Sequence, residues 1–374
     1  MPIRLPAHSA RTRSLTALVP EVSRALTGNG TWLRPARSAV VILIDGLGMA
    51  QLRARVGHAR FLSAAAGPHE RARTAFPSTT ATALTGLLTG APAGRHGIVG
   101  YRVKVPGTRV LANQLRGWED GALDSDWHRL PALTSTMGTA GVRAVVVSKP
   151  EYARTGFTRA TTTGAEFVGV SGVEERVARA MEEARTPGTF VYLYVPELDS
   201  LGHRFGWESD RWTAMLERVD GALRGSVPDH AAQIGVIVTA DHGMIDVPPA
   251  GHVLLTEGDG LLEDVVEVAG EPRMLHLYTA PARAAAVANA WRESEESRSW
   301  VFTRAEAIEE GLFGDVDPVV QDRIGDVLVA ARSRVAYYDD RLTDKAAQRM
   351  VGQHGSLTLE ETLVPLLRLG AFAP

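Results

Sequence analysis

Cysteine is absent from this 374-residue chain. That absence removes disulfides, thiolate nucleophiles and thiolate metal sites, and leaves histidine and carboxylates to build any metal site. A long hydrophobic run is missing too, since no stretch approaches the ~20 apolar residues of a membrane helix. Nor does one sign of charge dominate: Lys+Arg number 40 against Asp+Glu 43, a formal net charge of -3. Nothing forms a basic footprint for a nucleic-acid polymer or a polybasic run for a membrane surface. The basic residues are nearly all arginine, which fits coding bias better than chemistry. Arg4, Arg11 and Arg13 lie near the N-terminus, but the stretch 14–20 is too short and mixed for a signal segment. A cytoplasmic enzyme is the expectation, with the oligomeric state left open. Internal repeats and low-complexity tracts are also lacking.

What is present is an ordinary globular composition, 45% hydrophobic and 22% charged. Short Val- and Ile-rich runs at 40–44, 144–147, 190–195 and 236–239 read as buried parallel strands. Helical stretches lie between them; Met215, Val219 and Leu223 share one face at four-residue spacing. The expected fold is therefore α/β: a doubly wound, mostly parallel central sheet flanked by helices. One catalytic domain spans 1–374 with its core at about 38–370, a loop excursion at 100–130 and a small accessory lobe at about 250–320. Pro281 suits the first turn of a helix in that lobe.

Chemistry collects where the strands end. The first run is followed by Asp45-Gly46, the third by Asp199 and His203, and the fourth by Asp241-His242-Gly243. Ligands of open α/β sheets bind beyond the carboxyl ends of the strands. Singly, each element has a plain reading: a turn, a surface i,i+4 pair, or a cap beside a core histidine. Together, three strand ends delivering carboxylates, two of them with a histidine, point to a metal site. The segment 75–90 reads as a turn entering a helix, with Ser78, Thr79 and Thr80 near its start. Free N–H groups there suit a phosphate, although such hydroxyls also serve simply as caps. Spacing does not choose between Thr79 and Thr80.

The ordered set Ile44-Asp45-Gly46, Phe76-Pro77-Ser78-Thr79-Thr80, His96-Gly97-Ile98, Asp199 to His203, Asp241-His242-Gly243 and Gly352-Gln353-His354-Gly355 resembles the alkaline phosphatase superfamily. Within it the likeness is to the type I phosphodiesterase/nucleotide pyrophosphatase branch. The resemblance implies two divalent metal ions, zinc first and manganese as the alternative. One ion would be held by Asp199, His203 and His354, the other by Asp45, Asp241, His242 and the Thr80 oxygen. It selects Thr80 as nucleophile from a Pro-x-x-Thr pattern, and it supplies His354, which residue spacing alone does not single out. The implied reaction is hydrolysis of small-molecule phosphodiesters or nucleotide pyrophosphates through a phospho-threonine. Metal contact makes a threonine alkoxide accessible, and two dications balance three aspartates and that alkoxide.

One departure stands out. The branch's Pro-Asn pair after the nucleophile is replaced by Ala81-Thr82-Ala83, so a phosphate-binding asparagine is missing, and Asn113 is the candidate substitute. Trp118, Trp127 and Lys149 are bystanders on this reading. A phosphomonoesterase or phosphonate hydrolase on the same site is the alternative activity, and a phosphate-binding protein without catalysis is the alternative of another class.

Overall fold

The computed structural model describes residues 5–6, 12–227 and 233–374; Arg4 and Arg11 lie outside the described residues. Its main sheet runs Arg13–Ser14, Arg71–Arg73, Leu363–Gly370, Ile234–Thr239, Ser38–Ile44, Thr189–Val195, Arg143–Ser148 and Glu166–Gly169. The four Val- and Ile-rich runs are its adjacent central strands, paired in parallel. Every residue of Ser38–Ile44 and Ile234–Thr239 is buried, because helices cover both faces. The fold is thus an α/β sandwich around a mixed sheet, with Leu363–Gly370 as its one reversed strand.

Register places the site. Ile44 lies opposite Val195 and Leu43 opposite Thr239, so the chain leaves three neighbouring strands at one level. The reversed strand matters equally. It enters from that same edge, with Leu366 opposite Thr239. The residues before it are thereby held at the carboxyl edge.

A second, four-stranded antiparallel sheet runs Val265–Glu271, Met274–Thr279, Val327–Ala331, Ser299–Thr303. The helix Ala284–Glu295 covers it with Val287, Ala288 and Trp291 buried, giving it a core of its own. Pro281 precedes that helix rather than opening it, because Ala282 adopts a left-handed φ of 61° that no helix can include. Within 100–130 the chain forms a small hairpin, Arg102–Lys104 with Leu111–Asn113, followed by turns. Among the described residues no helix is long and apolar enough to cross a membrane.

Candidate metal centre

Asp45 directly follows its strand, and Gly46 turns the chain at φ 77°, which glycine alone adopts freely. A side chain at Gly46 would meet the Asp199 backbone at 3.0 Å. Asp199 and His203 sit one turn apart on the helix Glu197–Phe205. Asp241 and His242 follow Ile234–Thr239, and His354 follows the short strand Gly352–Gln353, which pairs with Ile245–Asp246. The Ser78–Gly355 bridge then sews the start of the Thr80–Thr89 helix to the His354 loop.

Two clusters result: Asp45 with Asp241 and His242, and Asp199 with His203 and His354. Within each, one atom per residue lies within 4.8 Å of the others. His242 Nε2 is 3.4 Å from Asp45 Oδ1, 3.5 Å from Asp241 Oδ2 and 3.1 Å from Thr80 Oγ1. His203 Nε2 is 3.4 Å from Asp199 Oδ1 and 3.3 Å from His354 Nε2. The clusters touch where His242 stacks on His354, ring centroids 3.6 Å apart.

The protons show what the clusters are built for. Each histidine turns Nδ1 to a backbone carbonyl: His203 to Gly352 at 2.7 Å, His354 to Ser78 at 3.0 Å, His242 to Gly243 at 3.1 Å. A carbonyl only accepts, so Nδ1 is the donor in each of these bonds, and in the neutral ring the lone pair then falls on Nε2. That lone pair faces carboxylate oxygens. The same oxygens, Asp45 Oδ1, Asp199 Oδ1 and Asp241 Oδ2, are buried with no hydrogen-bond partner. Two of their companion oxygens are engaged: Asp45 Oδ2 accepts from the Tyr194 hydroxyl, and Asp241 Oδ1 from Gly46 N at 3.2 Å and His242 N at 3.0 Å. Lone pairs facing lone pairs repel; a cation between them turns repulsion into ligation. The donor set, all N and O, suits zinc or manganese.

Electrostatics agree. Burial pushes the Asp45 carboxyl well above its ordinary range, and the charges of Asp241 and Asp199 push it further, against the Tyr194 hydrogen bond. Burial, then His242 and His203, hold His354 well below the usual imidazole range, so it is neutral. The Asp45 side is sealed, with His242 and Asp241 fully buried, whereas Asp199 and His203 keep 17% and 24% of their side chains exposed. The centre is therefore open to solvent on the Asp199–His203 side.

The hydroxyl run sorts itself out. Ser78 Oγ donates to Ser356 O at 2.7 Å. Thr79 is the helix N-cap but its side chain caps nothing, and Thr80 Oγ1 alone of the three approaches His242. Asn113 Oδ1 accepts from Leu115 N at 2.9 Å and Arg116 N at 3.1 Å, bracing a turn. Lys149 pairs with Glu197 at 3.4 Å. Trp127 donates to Gln114 Oε1 and lies under the Arg323 guanidinium. Two contributors escaped sequence reasoning. Tyr194, one residue from a strand end, engages Asp45. Glu271, on the second sheet, lies 3.7 Å from His354 Nδ1.

The family model described as type I phosphodiesterase/nucleotide pyrophosphatase matches residues 39–357. The chain belongs to that family. This type I phosphodiesterase/nucleotide pyrophosphatase family protein shares 41% identity over 64 residues with mouse and rat ectonucleotide pyrophosphatase/phosphodiesterase family member 7, over 16% of this chain and 15% of theirs. In structure it resembles murine ectonucleotide pyrophosphatase/phosphodiesterase 5, with a TM-score of 0.67 at 19% identity, covering 88% of this chain and 87% of that one. It resembles phosphonoacetate hydrolase from Sinorhizobium meliloti 1021 to the same score, at 20% identity and 90% coverage of both chains. At such identities the two structures speak for the fold.

Proposed function

We propose that this family member hydrolyses small-molecule phosphodiesters through a phospho-threonine on Thr80. The observation that carries the reading is the pair of three-ligand clusters, each with unpartnered buried carboxylate oxygens, beside the Thr80 hydroxyl. Asp45, Asp241 and His242 would hold one divalent ion, and Asp199, His203 and His354 the other. When bound, the ions supply Lewis acidity, favouring the threonine alkoxide and stabilising charge on the phosphoryl and leaving oxygens.

The chain's own part follows from its geometry. Thr80 stands at the start of a ten-residue helix, whose unpaired N–H groups and positive dipole end face an incoming phosphate. Its Oγ1 gives up its proton and forms a bond to phosphorus as the phosphorus–oxygen bond to the leaving group breaks, and the departing oxygen keeps the electron pair, takes up that proton and leaves as the alcohol. Water then attacks phosphorus, restores the Thr80 hydroxyl and releases the phosphate monoester. The leaving group exits past Asp199 and His203, the open side. AMP in the complex of an inactive murine phosphodiesterase 5 variant is the kind of product this reaction would leave.

The test compares bis-p-nitrophenyl phosphate with p-nitrophenyl phosphate on the zinc-loaded protein. The diester should turn over faster, and Thr80→Ala should lower kcat at least ~10³-fold, since removing a nucleophile abolishes the covalent route. Faster monoester turnover, or full activity in Thr80→Ala, would overturn the reading.

A further inference from the structure

The hairpin between Val265–Glu271 and Met274–Thr279 belongs to the second sheet, yet its turn reaches the metal centre. Glu271 closes the first of those strands with its side chain only 6% exposed. Its carboxylate faces the Thr79 side chain, and its Oε2 lies 3.7 Å from His354 Nδ1. Its Oε1 is buried with no hydrogen-bond partner. Gly355 makes the room: a side chain there would meet the Glu271 carboxyl carbon at 2.6 Å, and the glycine holds φ 123°.

The turn is moored rather than merely adjacent. Two residues on, the fully buried Arg273 grips both oxygens of Glu361 at 2.8 and 2.9 Å. It also donates to the carbonyls of Ser333 and Val335, each at 2.7 Å. Glu361 in turn accepts from Ser356 N at 3.1 Å and Thr358 Oγ1 at 2.6 Å. The loop that carries His354 and the turn that carries Glu271 are therefore one rigid unit.

A buried carboxylate oxygen with no donor is expensive unless positive charge lies near. Arg273 is committed to Glu361, so hairpin stability alone gives Glu271 no reason to be acidic. Carboxylates behind metal-bound imidazoles orient the ring and raise its basicity, and their loss typically weakens metal binding 10–100-fold. We propose that Glu271 is a positioning residue for the metal centre. Behind the ring, its negative charge lies 3.7 Å from the His354 Nδ1 that donates to Ser78 O, which favours the proton on Nδ1 and keeps Nε2 turned to Asp199 and His203, while its carboxylate faces Thr79, the residue preceding the nucleophile. This rests on the two-metal reading above.

The experiment measures zinc per chain, zinc affinity against a chelator, and the visible spectrum of the cobalt-substituted protein, for wild type, Glu271→Gln and Thr79→Val. Glu271→Gln should keep the melting temperature of the metal-free protein but bind one of two zinc equivalents 10–100-fold more weakly. It should also alter the cobalt bands and lower kcat with little change in KM. Thr79→Val should keep both equivalents and lose part of kcat. Wild-type zinc affinity and cobalt bands in Glu271→Gln would overturn the proposal. So would destabilisation of its metal-free form, since the carboxylate would then only hold the hairpin. If wild type binds no metal and cleaves no diester, the two-metal reading itself has failed, a distinct outcome.

Discussion

Two ways of burying a carboxylate coexist in this protein, and the difference between them separates framework from chemistry. Glu21 is fully buried yet completely satisfied: Thr31 N, Trp32 N and Leu33 N donate to Oε1, and Arg24 and the Thr31 hydroxyl to Oε2. Asp45, Asp199 and Asp241 each keep one bare oxygen, which no framework role requires. Burial pushes Glu21 up, but the backbone N–H groups of Trp32 and Leu33, with Arg24 and Thr31, outweigh it and bring the pKa from 4.5 down to about 2. A depressed carboxyl contributes stability above its unfolded pKa and loses it as pH falls towards the folded one. Arg24 is 45% exposed, so solvent screening reduces the contribution to about 2 kcal/mol. Glu21→Gln should therefore be less stable by that amount at pH 7 in urea unfolding. The gap should shrink by more than half at pH 3, and a gap independent of pH would refute the assignment.

Among the elements, the loops after the strands meet backbone to backbone. A side chain on Gly243 would sit 2.0 Å from Glu360 O and 2.9 Å from Gly48 Cα, while Gly243 N already donates to Glu361 O at 2.9 Å. Gly243→Ala should cost about 1–3 kcal/mol through overpacking and weaken metal binding at Asp45, Asp241 and His242. Gly221→Ala, where nothing lies within 4 Å of the added carbon on a helix, should be neutral or stabilise by about 0.5–1 kcal/mol. Thermal melts of the two variants, with and without zinc, check the contrast; equal behaviour would refute the close-packing argument. The same elements show what was readable in advance. The parallel strands are legible because burial on both faces writes them as unbroken apolar runs, and Asp199 and His203 because helical period is local. His354 is not. It reaches the edge through the reversed strand Leu363–Gly370, the pairing of Gly352–Gln353 and the Ser78–Gly355 bridge, all long-range facts. Glu271 was invisible for the same reason, since it arrives from another sheet.

For the molecule as a whole, the centre trades stability against readiness to bind metal. Three aspartates crowd one buried edge, and burial, Asp241 and Asp199 hold Asp45 well above its ordinary range. A carboxyl raised in the folded state contributes stability below its unfolded pKa and loses it as pH rises through the folded one. The metal-stripped protein should accordingly melt at progressively lower temperature as pH climbs from 5 to 8. Zinc should reverse this, since an ion binding only the folded state adds about 2.7 kcal/mol at a hundredfold excess over its Kd. Asp241→Asn separates the two effects. Its side-chain oxygen can still accept from Gly46 N and His242 N, while a neutral amide replaces the bare Oδ2 and one source of repulsion on Asp45 disappears. The stripped variant should melt higher than stripped wild type near pH 7.5, with a flatter pH dependence, yet gain far less from zinc. Melting curves with chelator and with zinc across that pH range decide it. A stripped Asp241→Asn protein that melts lower throughout would mean that Asp241 serves the fold rather than the ion, and that the crowded carboxylates carry no strain for metal to relieve.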